Sequence, residues 1–172
     1  MIGWYFATTE RTLRYGDDRK IELGKTHTVK GQPILCERGL HASKNILDAL
    51  QYAPGPVIYK VQLSHKVVHG DDKSCAQRRK YLAGAIDISD TLRLFARQCA
   101  LDVIHLWNAP NIVIQYLNTG DESIRDAARA AARDAAWDDD WAAARAAARP
   151  AARNAQNKHL TDMVEELLKE VR

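Results

Sequence analysis

Six histidines and three cysteines are the side chains here best suited to nucleophilic or metal chemistry. Cys36 and His41 lie close together, and Cys75 follows His65 and His69. An imidazole beside a thiol can serve as its base, so Cys36 or Cys75 with His41 makes a Cys–His pair on paper. His65 and His69 share a strand face with Cys75 behind them, and Cys36–His41 makes a second metal-type pair. Neither set has the short Cys-x2-Cys or helical His-x3-His spacing that zinc sites use, and no metal is expected. No glycine-rich phosphate loop of the P-loop or Rossmann type is present. Lys73, Arg78, Arg79 and Lys80 follow a Gly70-Asp71-Asp72 turn and form a local basic patch suited to RNA or DNA. A longer charged feature recurs at every fourth position: Arg125, Arg129, Arg133, Trp137, Trp141, Arg145, Arg149 and Arg153. Exposed arginine and tryptophan make binding hot spots. The expected contacts for an anionic partner are therefore Arg129, Arg133, Trp137, Trp141, Arg145 and Arg149.

The elements that must hold these residues divide the chain in character. Trp4-Tyr5-Phe6-Ala7 suits a strand. Tyr15-Gly16-Asp17-Asp18 is a turn signal, after which Ile21-Glu22-Leu23 alternates. A short helix is expected from Asn45 to Tyr52 with Ser43 as its N-cap, ended by Pro54-Gly55-Pro56. Val57, Tyr59, Val61 and Leu63 then alternate with Lys60 and Gln62, which predicts a strand with one buried face. From Ser89 the spacing of Leu92, Phe95, Ala96, Cys99 and Val103 is that of a buried helical face. Asn108 with Pro110 predicts a second helix start, and Gly120 its end. Leu160, Met163, Val164, Leu167, Leu168 and Val171 mark a final amphipathic helix.

The Arg/Trp positions sit in an alanine-rich run over 121–156, which alanine's propensity makes helical. Asp138-Asp139-Asp140 favour a helix N-terminus, so a new rod is expected near Trp141. Pro150 is expected to start a third rod or kink the second. Alanine buries too little surface to hold one long rod, so short helices folded on one another are expected.

At 172 residues and a net charge of +3, the chain is long enough for a core and too weakly basic to argue nucleic-acid binding by charge alone. The odd, scattered cysteines read as reduced thiols. The start, Met1-Ile2-Gly3-Trp4-Tyr5, is not a signal peptide, and no apolar run reaches membrane-spanning length. A cytoplasmic location without a membrane partner is expected.

Gly39-Leu40-His41-Ala42-Ser43, a helix ending at Tyr52, and the strand over 57–63 resemble a fragment of the ADP-ribosyltransferase fold. In that family a Gly-Ile/Leu-Tyr-Phe-Ala/Ser strand precedes a helix ending in a tyrosine that stacks on nicotinamide. The resemblance implies that His41 replaces the first ring-bearing residue, that Ser43 lies near it and that Tyr52 stacks. No His-Gly-Ser/Thr segment opens the domain, and no glutamate lies between Glu37 and Glu122, so only Asp71, Asp72 or Asp87 could replace the usual carboxylate. A broader resemblance spans 19–82, through Leu23-Gly24-Lys25, Leu35-Cys36-Glu37-Arg38-Gly39-Leu40-His41 and Gly70-Asp71-Asp72-Lys73-Ser74. These look like a family of uncharacterised phage and bacterial domains that carry alanine-rich helical tails. Cys99-Ala100-Leu101-Asp102-Val103 and the alanine repeats resemble predicted bacterial immunity proteins.

The expected fold is α+β: a small β-rich module over 1–88, then an all-helical, alanine-rich bundle over 89–172. No complete catalytic set and no cofactor site are apparent. The expected function is that of a non-enzymatic phage or prophage-type protein that occupies a host protein complex, such as a CRISPR-type defence complex. A divergent ADP-ribosyltransferase-like enzyme or NAD-binding module using His41, Ser43 and Tyr52 is the first alternative. An RNA- or DNA-binding protein using Lys73, Arg78, Arg79 and Lys80 is the second.

Overall fold

A computed structural model describes residues 1–135 and 139–171, with side chains described outside 136–151. The chain is mixed α+β, sheets first and helices after. Its strands are β1 (Ile2–Ala7), β2 (Thr26–Thr28), β3 (Leu40–Ala42), β4 (Val57–Ser64), β5 (Val68–His69), β6 (Ser74–Ala76) and β7 (Arg78–Asp87). Its helices are α1 (Ile46–Gln51), α2 (Ser89–Asp102), α3 (Asn111–Thr119), α4 (Arg125–Ala135) and α5 (Asp139–Glu170).

Two antiparallel sheets form, one in the order β1-β4-β7-β2 and the other β3-β6-β5. They meet where β1 pairs with the residue after β3. Trp4 N–H donates to the Ser43 carbonyl at 2.7 Å, and Ser43 N–H returns to the Trp4 carbonyl at 3.1 Å. Glycine at position 3 makes this approach possible, because a Cβ there would strike the Ser43 carbonyl oxygen. Gly84 does the same between β4 and β7, at φ +108° and against the Ile58 carbonyl, where the register slips.

The alternation of β4 places Val57, Tyr59, Val61 and Leu63 in the core with Leu40, Ala42, Ala76 and Tyr81. Burying each of the valine and leucine side chains among them contributes about 1.5–3 kcal/mol. The opposite phase is covered as well. Ile58 is buried, and the half-buried Lys60 lies 5.1 Å from the Trp4 ring centroid and 2.6 Å from Glu165. Leu160, Val164 and Leu168, one turn apart on α5, are buried too.

Two compact units result: Met1–Ser89 together with Leu160–Arg172, and Asp90–His159. The strand-rich unit thus includes the last turns of α5. In the helical unit, α3 ends on Gly120 at φ 67°, whose N–H donates to the Tyr116 carbonyl at 2.8 Å. Phe95 of α2 stacks 5.8 Å from His159. No described helix is long and apolar enough to cross a membrane.

Several local expectations are corrected. Ser43 does not cap α1, because its backbone is committed to Trp4; Asn45 is the N-cap, and its amide donates instead to Asp48. Pro110, not Asn108, precedes α3. The 21–23 stretch is no strand; Ile21 is a core residue just beyond the loop that the Thr12–Lys20 bridge closes. Pro150 does not start a third rod, since α5 runs through it. The alanine runs on either side favour helix strongly enough to absorb one lost N–H. Asp139 and Asp140 lie in the first turn of α5, and Asp138 lies outside the described residues.

Candidate functional site

A cleft of about 670 Å³ opens within the strand-rich unit. Its lining comes from β1 (Tyr5), β3 and the residue after it (His41, Ser43), the end of α1 (Tyr52), the turn before β6 (Lys73) and β7 (Arg79). His41, Ser43 and Tyr52, marked by the strand–helix–strand resemblance, all line it.

His41 stands at the centre of its electrostatics. Its Nε2 accepts the Cys36 backbone N–H at 3.3 Å, which assigns the ring proton to Nδ1. Burial, then Lys73 and Arg79, hold its pKa below the ordinary 6.5. The ring is therefore neutral at pH 7, with its acceptor nitrogen tied to a turn in which Cys36 adopts φ 65°.

Tyr52 is exposed at the rim, and its hydroxyl donates to Asp72 in a short hydrogen bond. That bond raises the phenol's pKa. The Lys73 ammonium lies 3.9 Å from the centroid of the same ring. Burial disfavours the ammonium, but the Cys36 and Tyr52 side chains outweigh it and raise its pKa.

Arg79 is 2% exposed. Its Nη1 donates to the His41 carbonyl at 2.6 Å, while Nε and Nη2 donate to Tyr81 Oη at 3.0 and 2.8 Å. Tyr81 Oη lies 3.1 Å from His27 Nδ1. With the Tyr81 proton directed there, His27 is neutral, which matches the pKa that burial and then Arg19 and Arg79 push down. The Arg79 guanidinium carbon also lies over the Tyr5 ring, 3.6 Å from its centroid.

The basic run therefore does not form one surface patch. Arg78 and Lys80 are exposed, Arg79 points inward and Lys73 is half-buried against Tyr52. Of the aspartates that could replace the absent glutamate, Asp72 is bound to Tyr52, Asp87 accepts Ser89 N–H at 2.8 Å at the start of α2, and Asp71 is exposed. His65 lies in the turn between β4 and β5 rather than on a strand face, and His69 Nδ1 sits 3.0 Å from Ser74 Oγ. Among the described residues no three His, Cys, Asp or Glu side chains could hold a metal ion together. On α4, Arg129 and Arg133 are exposed. Trp137 lies outside the described residues, as do the side chains of Trp141, Arg145 and Arg149.

Residues 8–94 match the family described as a domain of unknown function, DUF7666. The chain belongs to that family. The DUF7666 match takes in His41, Ser43, Tyr52, Lys73 and Arg79, while Tyr5 on β1 lies just ahead of it. An uncharacterised family is what the 19–82 resemblance implies, and in that coarse form it holds. No curated protein and no solved structure matches the chain.

Residue-type reasoning missed Tyr5, Tyr81, His27 and the inward role of Arg79. A signal was present in the phase of β7. Arg79 and Tyr81 alternate with Arg78, Lys80 and Leu82, so one pleat face carries the guanidinium and the phenol together.

Proposed function

We propose that the DUF7666 domain of this chain is a nicotinamide-dinucleotide-binding module, related in its strand–helix–strand unit to ADP-ribosyltransferases. The observation that carries it is the convergence of His41, Ser43 and Tyr52 on one cleft. The cleft volume lies within the range of small-ligand sites. Tyr52 is exposed at the rim, where the ring face opposite Lys73 can meet a planar heterocycle. The carboxylates at the cleft do not resemble the family's usual glutamate. Asp17 is clamped by Arg19 at 2.6 Å, and Glu37 sits exposed in a turn. Binding, rather than transfer, is therefore the activity proposed.

Calorimetric titration of the whole chain with NAD tests this. Saturable heat with a raised melting temperature is expected, and Tyr52→Ala should weaken binding by about tenfold, the scale of one lost aromatic stack. Absence of both heat and thermal shift overturns the reading. Label transferred from NAD to lysate proteins would convert the module into an enzyme.

A second reading concerns the helical unit: a phage-type binding protein that occupies an acidic surface of a host complex. The exposed pair Arg129 and Arg133 on α4 supports it. Reversing the charge of Arg129, Arg133 and Arg145 should abolish partner capture with the helical circular dichroism unchanged. Undiminished capture would sink it.

A further inference from the structure

From the buried guanidinium of Arg79 and the neighbouring Lys73, we infer that the cleft contains an anion subsite. It takes a phosphate group, and in the nucleotide-binding reading on which this inference rests, the pyrophosphate of the ligand.

A guanidinium removed from water is costly unless its charge is matched. Among the described residues none of the hydrogen bonds of Arg79 ends on a carboxylate; they go to the His41 carbonyl and to Tyr81 Oη. Each of its terminal nitrogens carries two N–H groups. One from Nη1 and one from Nη2 are used inside the protein, which leaves the others without a protein acceptor in these bonds. Arginine presents such N–H pairs in a planar fork that suits phosphate oxygens.

The surroundings hold that fork still. Tyr5 covers one face, and Tyr81 is itself positioned by His27. Both histidines around it are kept neutral, in part by that same charge.

The second cation, Lys73, lines the same cleft near the rim, with His41 close enough to feel both. The two carboxylates of the lining do not neutralise this pair, since Asp17 is held by Arg19 and Glu37 is exposed. A polyanion running from the floor to the rim would meet Arg79, then the His41–Cys36 turn, then Lys73. Its attached ring would arrive at Tyr52.

Calorimetry on the whole chain with NAD, inorganic pyrophosphate and adenosine tests the subsite. Pyrophosphate should bind, compete with NAD and weaken steeply with salt, while adenosine should bind far more weakly than NAD. Lys73→Gln, on the half-buried rim, should weaken NAD and pyrophosphate alike by about tenfold, the scale of one lost charged hydrogen bond. Arg79→Lys, which keeps the charge and loses the fork, should do at least as much. The melting temperature without ligand reports whether each variant is folded. NAD binding that pyrophosphate does not compete with, or that Lys73→Gln leaves unchanged, overturns the subsite and spares the dinucleotide reading. Pyrophosphate binding lost in Lys73→Gln without any NAD binding keeps the subsite and removes that reading. Binding of neither removes both.

Discussion

The guanidinium of Arg79 and the ring of Tyr5 lie 3.6 Å apart, although β4 separates their strands in the sheet. Their side chains leave the same face and meet over Tyr81, whose ring is 6.4 Å from that of Tyr5. A cation against an aromatic face is worth about 2 kcal/mol when desolvated. Tyr5→Phe should therefore leave urea-unfolding stability nearly unchanged. Tyr5→Leu should lower it by about 1–2 kcal/mol. Equal losses in the two variants would show that the pair contributes nothing through its charge.

Acid should weaken the strand-rich unit before its carboxylates titrate. His27 and His41 both have folded pKa values below the ordinary 6.5, with burial the largest cause in each. Below about pH 6.5 the unfolded chain takes up protons that the folded one refuses, so stability falls with pH across the window beneath 6.5. Above it, their contribution is full and flat. Denaturation between about pH 8 and 5 should show this decline, and His27→Gln with His41→Gln should flatten it. A decline that persists unaltered in the double variant would assign it to other groups.

The last turns of α5 should be indispensable to the sheets. Leu160 and Val164 are fully buried in the unit that contains β1 to β7. Leu160→Ala should cost about 2–5 kcal/mol, read by near-ultraviolet circular dichroism during denaturation. Glu165→Gln, which loses the half-exposed pair with Lys60, should cost less than about 1 kcal/mol. A loss below 1 kcal/mol for Leu160→Ala would contradict the packing.

Thiol chemistry should separate the cysteines. Cys36 is exposed on the cleft wall, Cys75 is buried and Cys99 lies between. Burial pushes the Cys75 thiol's pKa up, which slows it further. A disulfide reagent should modify Cys36 first and leave Cys75 untouched until unfolding. Bound NAD should slow the Cys36 reaction, and an unchanged rate at saturation would place the ligand elsewhere.

Much of the architecture is legible in the residues themselves. The strand at 57–63 follows from its alternation and the end of α3 from Gly120. Each depends on neighbours within a few residues, where propensity and capping act. Pro150 suggests the start of a third rod for the same reason, yet α5 continues through it.

The site is legible only in part. His41, Ser43 and Tyr52 stand out through a family pattern, yet Arg79 looks like one member of a basic run. Its burial depends on the phase of β7 against β4, reached through two register slips, one between Ile86 and Gly84 and one between Ala83 and Tyr81. A shift of one residue would have turned Arg78 or Lys80 inward instead.

The sequence by itself determined the strand over 57–63 and the helical character of the second half, because those preferences act locally through backbone and side-chain entropy. Tertiary structure decided which charge is buried, how Trp4 and Ser43 join the two sheets, and that Leu160–Arg172 returns to the strand-rich unit. These outcomes arise from contacts such as Lys60 with Glu165, between residues far apart in the chain. Such pairings leave no local periodicity, and their free energy exists only once the core has closed around them.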